Sequence, residues 1–290
     1  MKIFMLGIST SYFSTRGYSI YESVKKAHEM GFSLVELGAN HDYEENVWQT
    51  VRKIAKDFPE VTFTQHCYFP PISKIPLFLN PAEGLSVNNK KILSALFKGA
   101  KILGSKVISF HPGVNSKFSF NGVFEEFKGF KQFKSVEKIP DKESQKSILT
   151  FFSYLLSLAK IYQVKVAVEN IYTSSGEKPT LRTFGEFKDL FLRFPKLYFL
   201  FDYGHATLLT KNPNQFFKFK ERIIEMHLHD VKDNLDHRIL GTGKVNLESL
   251  FFEIKKLKIK PYLVLEHSGE PSVEEIIKEK KLVEKYLEIN

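Results

Sequence analysis

The sequence predicts an α/β protein built as a single (β/α)8 barrel spanning residues 1–290. Short apolar runs alternate eight times with longer helical patterns along the chain. The runs are apolar nearly throughout, as strands of a parallel sheet covered on both faces read. Eight such units in 290 residues fit a barrel whose usual size is about 250 residues. An open doubly wound sheet is the competing architecture, but no glycine-rich phosphate loop follows the first strand.

Each unit is legible in turn. "IFMLGIS" (3–9) is followed by the helical "SIYESVKKAHEMG", and "LVELG" (34–38) by "ENVWQTVRKIAKDF". "VTFTQH" (61–66) leads through a proline-rich loop to "NNKKILSALFKGAKILG". "KVISFH" (106–111) leads through a long insertion to "SQKSILTFFSYLLSLAKIY". "VKVAVEN" (164–170) precedes "TFGEFKDLFLRF", and "LYFLFD" (197–202) precedes "PNQFFKFKER". "IIEMHLH" (223–229) precedes "NLESLFFEIKKL", and "YLVLEH" (262–267) precedes "SVEEIIKEKKLVEKYL". The opening "MKIFMLGIS" loosely resembles a signal peptide, but its apolar stretch is short and no small-residue cleavage site follows, so it reads as the first strand. Residues 113–146 break the rhythm. There Phe120, Phe124, Phe127, Phe130 and Phe133 recur at helical spacing, which predicts a short amphipathic helix, either packed on the rim or closing over a ligand as a lid.

Hydrophobic residues make up 43% and charged residues 26%, as in soluble globular proteins. Twenty-eight phenylalanines imply an aromatic core, and the one cysteine, Cys67, excludes an intrachain disulfide. A lone thiol fits a reducing compartment, so a cytoplasmic location is expected. No apolar run approaches the roughly 18 residues that a membrane span needs. The charge of +9 would favour an anionic ligand such as a sugar phosphate or nucleic acid. Because the lysines are dispersed, it equally fits a charged surface kept for solubility. The sequence leaves the oligomeric state open.

Catalytic groups of such a barrel lie where the strands end. Here those ends carry Glu36, His66, His111, Glu169, Asp202 with His205 one turn on, His227 with His229, and Glu266; the first strand offers only Ser9 and Thr10. A single such residue is usually hydrogen-bonded structure. Seven consecutive strand ends bearing carboxylate or imidazole require a compensating partner, since unpaired buried charges cost several kcal/mol. A divalent cation supplies it, and mixed nitrogen and oxygen ligands suit zinc, manganese, cobalt or iron rather than calcium. Glu169, Asp202, His227 and Glu266 are expected to converge on it. His229 is expected as a support or substrate contact. His237, before "LGTG", could turn back over the site with Asp230 or Asp236 as partner.

These motifs ("QHCY", "FHPG", "VEN", "DYGHA", "HLHD", "DHRILGTG" and "LVLEH") resemble those of the xylose isomerase-like TIM barrel superfamily over nearly the whole chain. That superfamily holds sugar and sugar-phosphate isomerases and epimerases and the endonuclease IV group. The resemblance implies a divalent metal (manganese, zinc, cobalt or magnesium) on Glu169, Asp202, His227 and Glu266. It also implies that Glu169 and Glu266 move the substrate proton through an enediolate, in carbohydrate metabolism. In the endonuclease branch further ions sit on residues matching His66 and His111, and His205 and His237. That branch has an aspartate where Leu235 stands here, with Asp236 one residue off. The expected substrate is a small sugar or sugar phosphate. The alternative is abasic-site DNA, against which the acidic "GANHDYEEN" loop after strand 2 speaks. A non-catalytic sugar- or metal-binding barrel is a third reading.

Overall fold

Eight parallel strands close on one another in a computed structural model that describes residues 4–74, 77–119, 134–173 and 178–288. They are β1 (Met5–Ser9), β2 (Leu34–Leu37), β3 (Thr62–His66), β4 (Val107–Phe110), β5 (Lys165–Glu169), β6 (Tyr198–Asp202), β7 (Ile223–Leu228) and β8 (Tyr262–Leu265). Each pairs with its sequence neighbours, and β1 pairs with both β2 and β8, which leaves no edge. All eight lie within the runs that predict them.

Besides a single helical turn at Ser11–Ser14, the α-helices among the described residues are α1 (Ile20–Glu29), α2 (Val47–Asp57), α3 (Val87–Leu103), α4 (Asp141–Tyr162), α5 (Phe184–Arg193), α6 (Tyr203–Leu209), α7 (Leu247–Lys255) and α8 (Val273–Leu287). Capping boxes start α1 at Ser19, α5 at Thr183 and α8 at Ser272. In each, the hydroxyl and the glutamate three residues on satisfy backbone N–H groups that the first turn leaves unpaired. The phenylalanine excess packs between strands and helices. Phe199 of β6 lies 5.3 Å from Phe187 and 5.7 Å from Phe191, both on α5.

Two stretches differ from expectation. The helix after strand 6 begins directly at Tyr203, because the Asp202 carboxylate caps it by accepting the His205 N–H at 2.6 Å. The "PNQFFKF" segment forms a 3-10 turn at Pro213–Phe219. The long insertion opens and closes with an antiparallel pair, Ser116–Ser119 against Lys134–Lys138. The amphipathic helix expected from its five phenylalanines lies outside the described residues. No helix among the described residues is long and apolar enough to cross a membrane.

Candidate metal centre

Glu169 and Asp202 close β5 and β6, His227 lies in β7, and Glu266 follows β8. The barrel register sets Asp202 and Val264 beside His227, so one ligand atom from each of the four residues lies within 4.8 Å of the others. His227 Nδ1 is 2.8 Å from Glu266 Oε2, 3.6 Å from Glu169 Oε1 and 3.8 Å from Asp202 Oδ2. These atoms are close without being bonded. His227 Nδ1, Glu169 Oε2 and Glu266 Oε2 are buried and make no hydrogen bond. They meet their neighbours only as ion pairs, His227 Nδ1 with Glu266 Oε2 and Glu169 Oε2 with His66 and His111, and a divalent ion held among the four residues would take the place of an imidazole proton.

The far side of His227 explains why Nδ1 points inward. Its Nε2 donates to Glu36 Oε2 at 2.8 Å, and both residues are fully buried. A carboxylate behind a histidine fixes the ring and makes the facing nitrogen a better ligand. Asn170 gives similar support to Asp202. Its Oδ1 accepts the Asp202 N–H at 3.0 Å, and its Nδ2 donates to the Asp202 carbonyl at 2.7 Å.

Imidazoles flank this centre on both sides. His66 Nε2, His111 Nε2 and Glu169 Oε2 form a triangle with edges of 3.1, 3.4 and 3.3 Å. Two ligands of a tetrahedral zinc stand about 3.4 Å apart when each bond is about 2.0–2.1 Å. Cys67 adjoins this triangle, but burial pushes its thiol far above the ordinary range, which disfavours the thiolate.

On the other side, His205 Nδ1 is 3.2 Å from both Glu169 Oε1 and Asp202 Oδ2. His229 Nδ1 accepts the His237 N–H at 3.0 Å, which turns its Nε2–H toward Asp202 Oδ2 at 2.9 Å. The ring fits beneath α6 because residue 204 is glycine; a Cβ there would stand 2.1 Å from His229 Cε1. Asp236 reaches His205 Nε2 at 3.5 Å and His237 Nε2 at 4.0 Å. Asp230 is no partner of His237. Its carboxylate accepts the N–H groups of Val231, Gly241, Gly243 and Val245 at 2.7, 2.9, 2.9 and 2.9 Å, and so folds the "LGTG" loop.

Burial opposes charge throughout the site, and the charges overcome it where they face one another. Burial would raise the Glu169 carboxyl, yet the imidazoles of His111, His205 and His227 hold it well below the usual range. Glu266 is lowered in the same way by His227 and His237. Burial would lower His227, but Glu266, Glu36 and Glu169 hold it well above 6.5; Asp202, Asp236 and Glu169 do the same for His205. His66 and His237 are lowered, chiefly by burial. Beneath the site, burial and the nearby Glu36 push Glu225 up to about 8.

Sequence reasoning assigned no role to Glu36, Asn170 or Glu225. Glu36 stood among the strand ends, Asn170 within the "VEN" motif, and Glu225 two residues before His227, on the same face of its strand.

The model of one protein family, described as xylose isomerase-like TIM barrel, matches residues 24–286. Three solved structures are similar in fold. A D-tagatose 3-epimerase-like protein is 21% identical, with a TM-score of 0.71 over 98% of this chain and 97% of its own. An IolI protein with a bound zinc atom is 16% identical, with a TM-score of 0.70 over 98% of each. A family 2 AP endonuclease from Brucella melitensis is 14% identical, with a TM-score of 0.68 over 94% and 96%.

Proposed function

Because the chain belongs to the xylose isomerase-like TIM barrel family, we propose that it is a divalent-metal-dependent isomerase or epimerase acting on a sugar or sugar phosphate. The observation that carries this reading is the convergence of four side chains: one ligand atom each from Glu169, Asp202, His227 and Glu266 lies within 4.8 Å of the others. Glu169, Asp202, His227 and Glu266 would hold the ion, and their donor set suits manganese, zinc, cobalt or magnesium. Once bound, the ion would polarise the substrate carbonyl and offset the charge of the enediolate.

The chain's own residues move the proton. One of the two glutamates removes it from the carbon next to the carbonyl. A carboxylic acid then returns a proton to the opposite face of that carbon, which epimerises it, or to the neighbouring carbon, which isomerises the sugar. His66 and His111 adjoin Glu169 and would contact substrate oxygens. The test is a panel of ketoses and their phosphates assayed with metal-loaded protein. Glu169→Gln and Glu266→Gln should each abolish turnover and leave the fold intact. Near-normal turnover by either variant would remove that residue from proton transfer.

A second reading, a metal-dependent phosphodiesterase acting at abasic sites, is favoured by one observation. The His66–His111–Glu169 triangle has edges close to those around a tetrahedral ion, and such hydrolysis uses two or three ions. Metal analysis separates the readings: one ion per chain supports the isomerase, two or three the phosphodiesterase.

A further inference from the structure

His267 follows Glu266 at the end of β8, and Glu279 lies on the inner face of α8. Their side chains are fully buried, and neither belongs to the metal cluster. His267 Nε2 meets Glu279 Oε2 at 2.6 Å, and Glu279 Oε1 accepts the Leu240 N–H at 2.7 Å. The other ring nitrogen of His267 donates to the His237 carbonyl at 3.1 Å.

The bonding continues inward from there. His237 Nδ1 donates to the Glu266 carbonyl at 3.1 Å, and the His237 N–H donates to His229 Nδ1. His229 Nε2 then reaches Asp202 Oδ2. A run of hydrogen bonds therefore joins α8 to a carboxylate of the metal cluster.

Two features give this run a purpose beyond packing. A buried carboxylate–imidazole pair is seldom more stabilising than apolar side chains of the same volume, so a helix needing only an anchor has simpler means. His237 also has φ of 54°, a left-handed conformation that non-glycine residues adopt only when their surroundings impose it. Its N–H and C=O are both held, one by His229 and the other by His267.

We infer that Glu279, acting through His267, is a positioning residue: it fixes the backbone of His237 and thereby sets where the His237 and His229 rings stand against the metal-binding carboxylates. The inference rests on the proposed metal site for its purpose, but not for its geometry.

Two readouts test it. The first uses protein labelled with 15N at histidine, without added metal, with ring signals assigned by single His→Gln variants. Glu279→Gln should move the His229 and His237 ring signals and leave that of His28, remote on α1, in place. The second titrates Co2+ against a competing chelator, and the variant should bind about tenfold more weakly, as supporting partners of metal ligands do. A folded Glu279→Gln protein with unmoved ring signals would overturn the inference.

If that variant does not fold, the His267 pair decides. His267→Asn keeps a donor for the His237 carbonyl, whereas His267→Leu does not. The asparagine should restore part of the shift that leucine causes and stop short of the wild-type ring signals, because it loses the bond to Glu279; identical spectra from the two variants, or full restoration by asparagine, would equally overturn the inference. A wild-type protein that binds no Co2+ would sink the metal reading, while the ring signals would still decide the positioning role.

Discussion

Glu36 offers the sharpest test of the proposed metal centre. It holds the Nε2 of His227 at 2.8 Å inside a fully buried pair. Carboxylates in this supporting position are worth about 10–100-fold in metal affinity, or roughly 1.4–2.8 kcal/mol at about 1.4 kcal/mol per factor of ten. Two variants divide that sum. In Glu36→Gln the amide oxygen can still accept from Nε2, so only the charge is lost, and affinity should fall about tenfold. In Glu36→Leu the Nε2–H is left buried without an acceptor, which adds about 1–3 kcal/mol, so the loss should approach or exceed 100-fold. The assay is competition for Zn2+ or Co2+ against a chelator of known affinity, with thermal unfolding of the metal-free proteins alongside. Wild-type affinity in both variants would refute the reasoning, because His227 would then not owe its inward-facing nitrogen to Glu36.

Further expectations concern packing, pH and substrate class. Gly204→Ala drives a Cβ into the His229 ring; overpacking of this kind costs about 1–3 kcal/mol, and a loss of metal affinity should accompany the fall in melting temperature. His227 and His205, held above 6.5, contribute stability that is complete below that value and lost as pH rises through their raised values. Glu169 and Glu266, held below 4.5, contribute stability present above that value and lost as pH falls. These four groups favour heat resistance between about pH 4.5 and 6.5, and His66 and His237, lowered by burial and destabilising as pH falls below 6.5, shift the optimum of the metal-free protein to the upper end of that range. Added metal should extend that window upward by replacing the imidazole protons, and a melting profile that ignores metal above pH 7 would contradict this. Abasic-site duplex DNA should be bound no more tightly than the non-specific range of about 10⁻⁴–10⁻⁶ M and not nicked. Metal-dependent nicking lost in His66→Ala and His111→Ala would promote the phosphodiesterase reading.

The barrel was legible because its signal is local and repeated: each apolar run needs only its own composition and the helical pattern behind it. The strand-end rule then took the reading from fold to site, because in a barrel every strand delivers its last residues to one rim. That is how residues as far apart as His66 and Glu266 could be grouped before any contact was known. The unread part is what closure of the barrel creates. The Glu36–His227 bond joins residues 191 positions apart across the interior, and no local pattern encodes which strand faces which through the centre. Asp230 illustrates the same limit at short range. Its proximity to His237 in sequence suggested a side-chain partner, but the intervening hairpin turns the carboxylate onto the backbone N–H groups of residues 231–245. His267 and Glu279 were invisible for a different reason: a glutamate within "SVEEIIKEKKLVEKYL" reads as one more exposed helix charge until packing shows which face is turned inward.

Charge, more than shape, bears on whether the flanking imidazoles hold a second ion. The central four residues supply three carboxylates, and Glu36, bonded to His227 and within reach of His66, adds a fourth, so one divalent ion there would leave two net negative charges. The His66–His111 triangle shares Glu169 and has Glu36 beside it. A second ion there would bring the count to neutral, with no excess negative charge left in the buried site to hold it. A ligand that brought negative charge would strengthen its hold. A phosphorylated sugar, an enediolate and a phosphodiester all do so, and a neutral sugar does not. Metal stoichiometry measured with and without an anionic ligand is therefore more informative than stoichiometry alone. A second ion taken up only with the ligand would tie the His66–His111 pair to an anionic substrate; a second ion retained tightly without one would mean that Glu169 and Glu36 suffice to hold it.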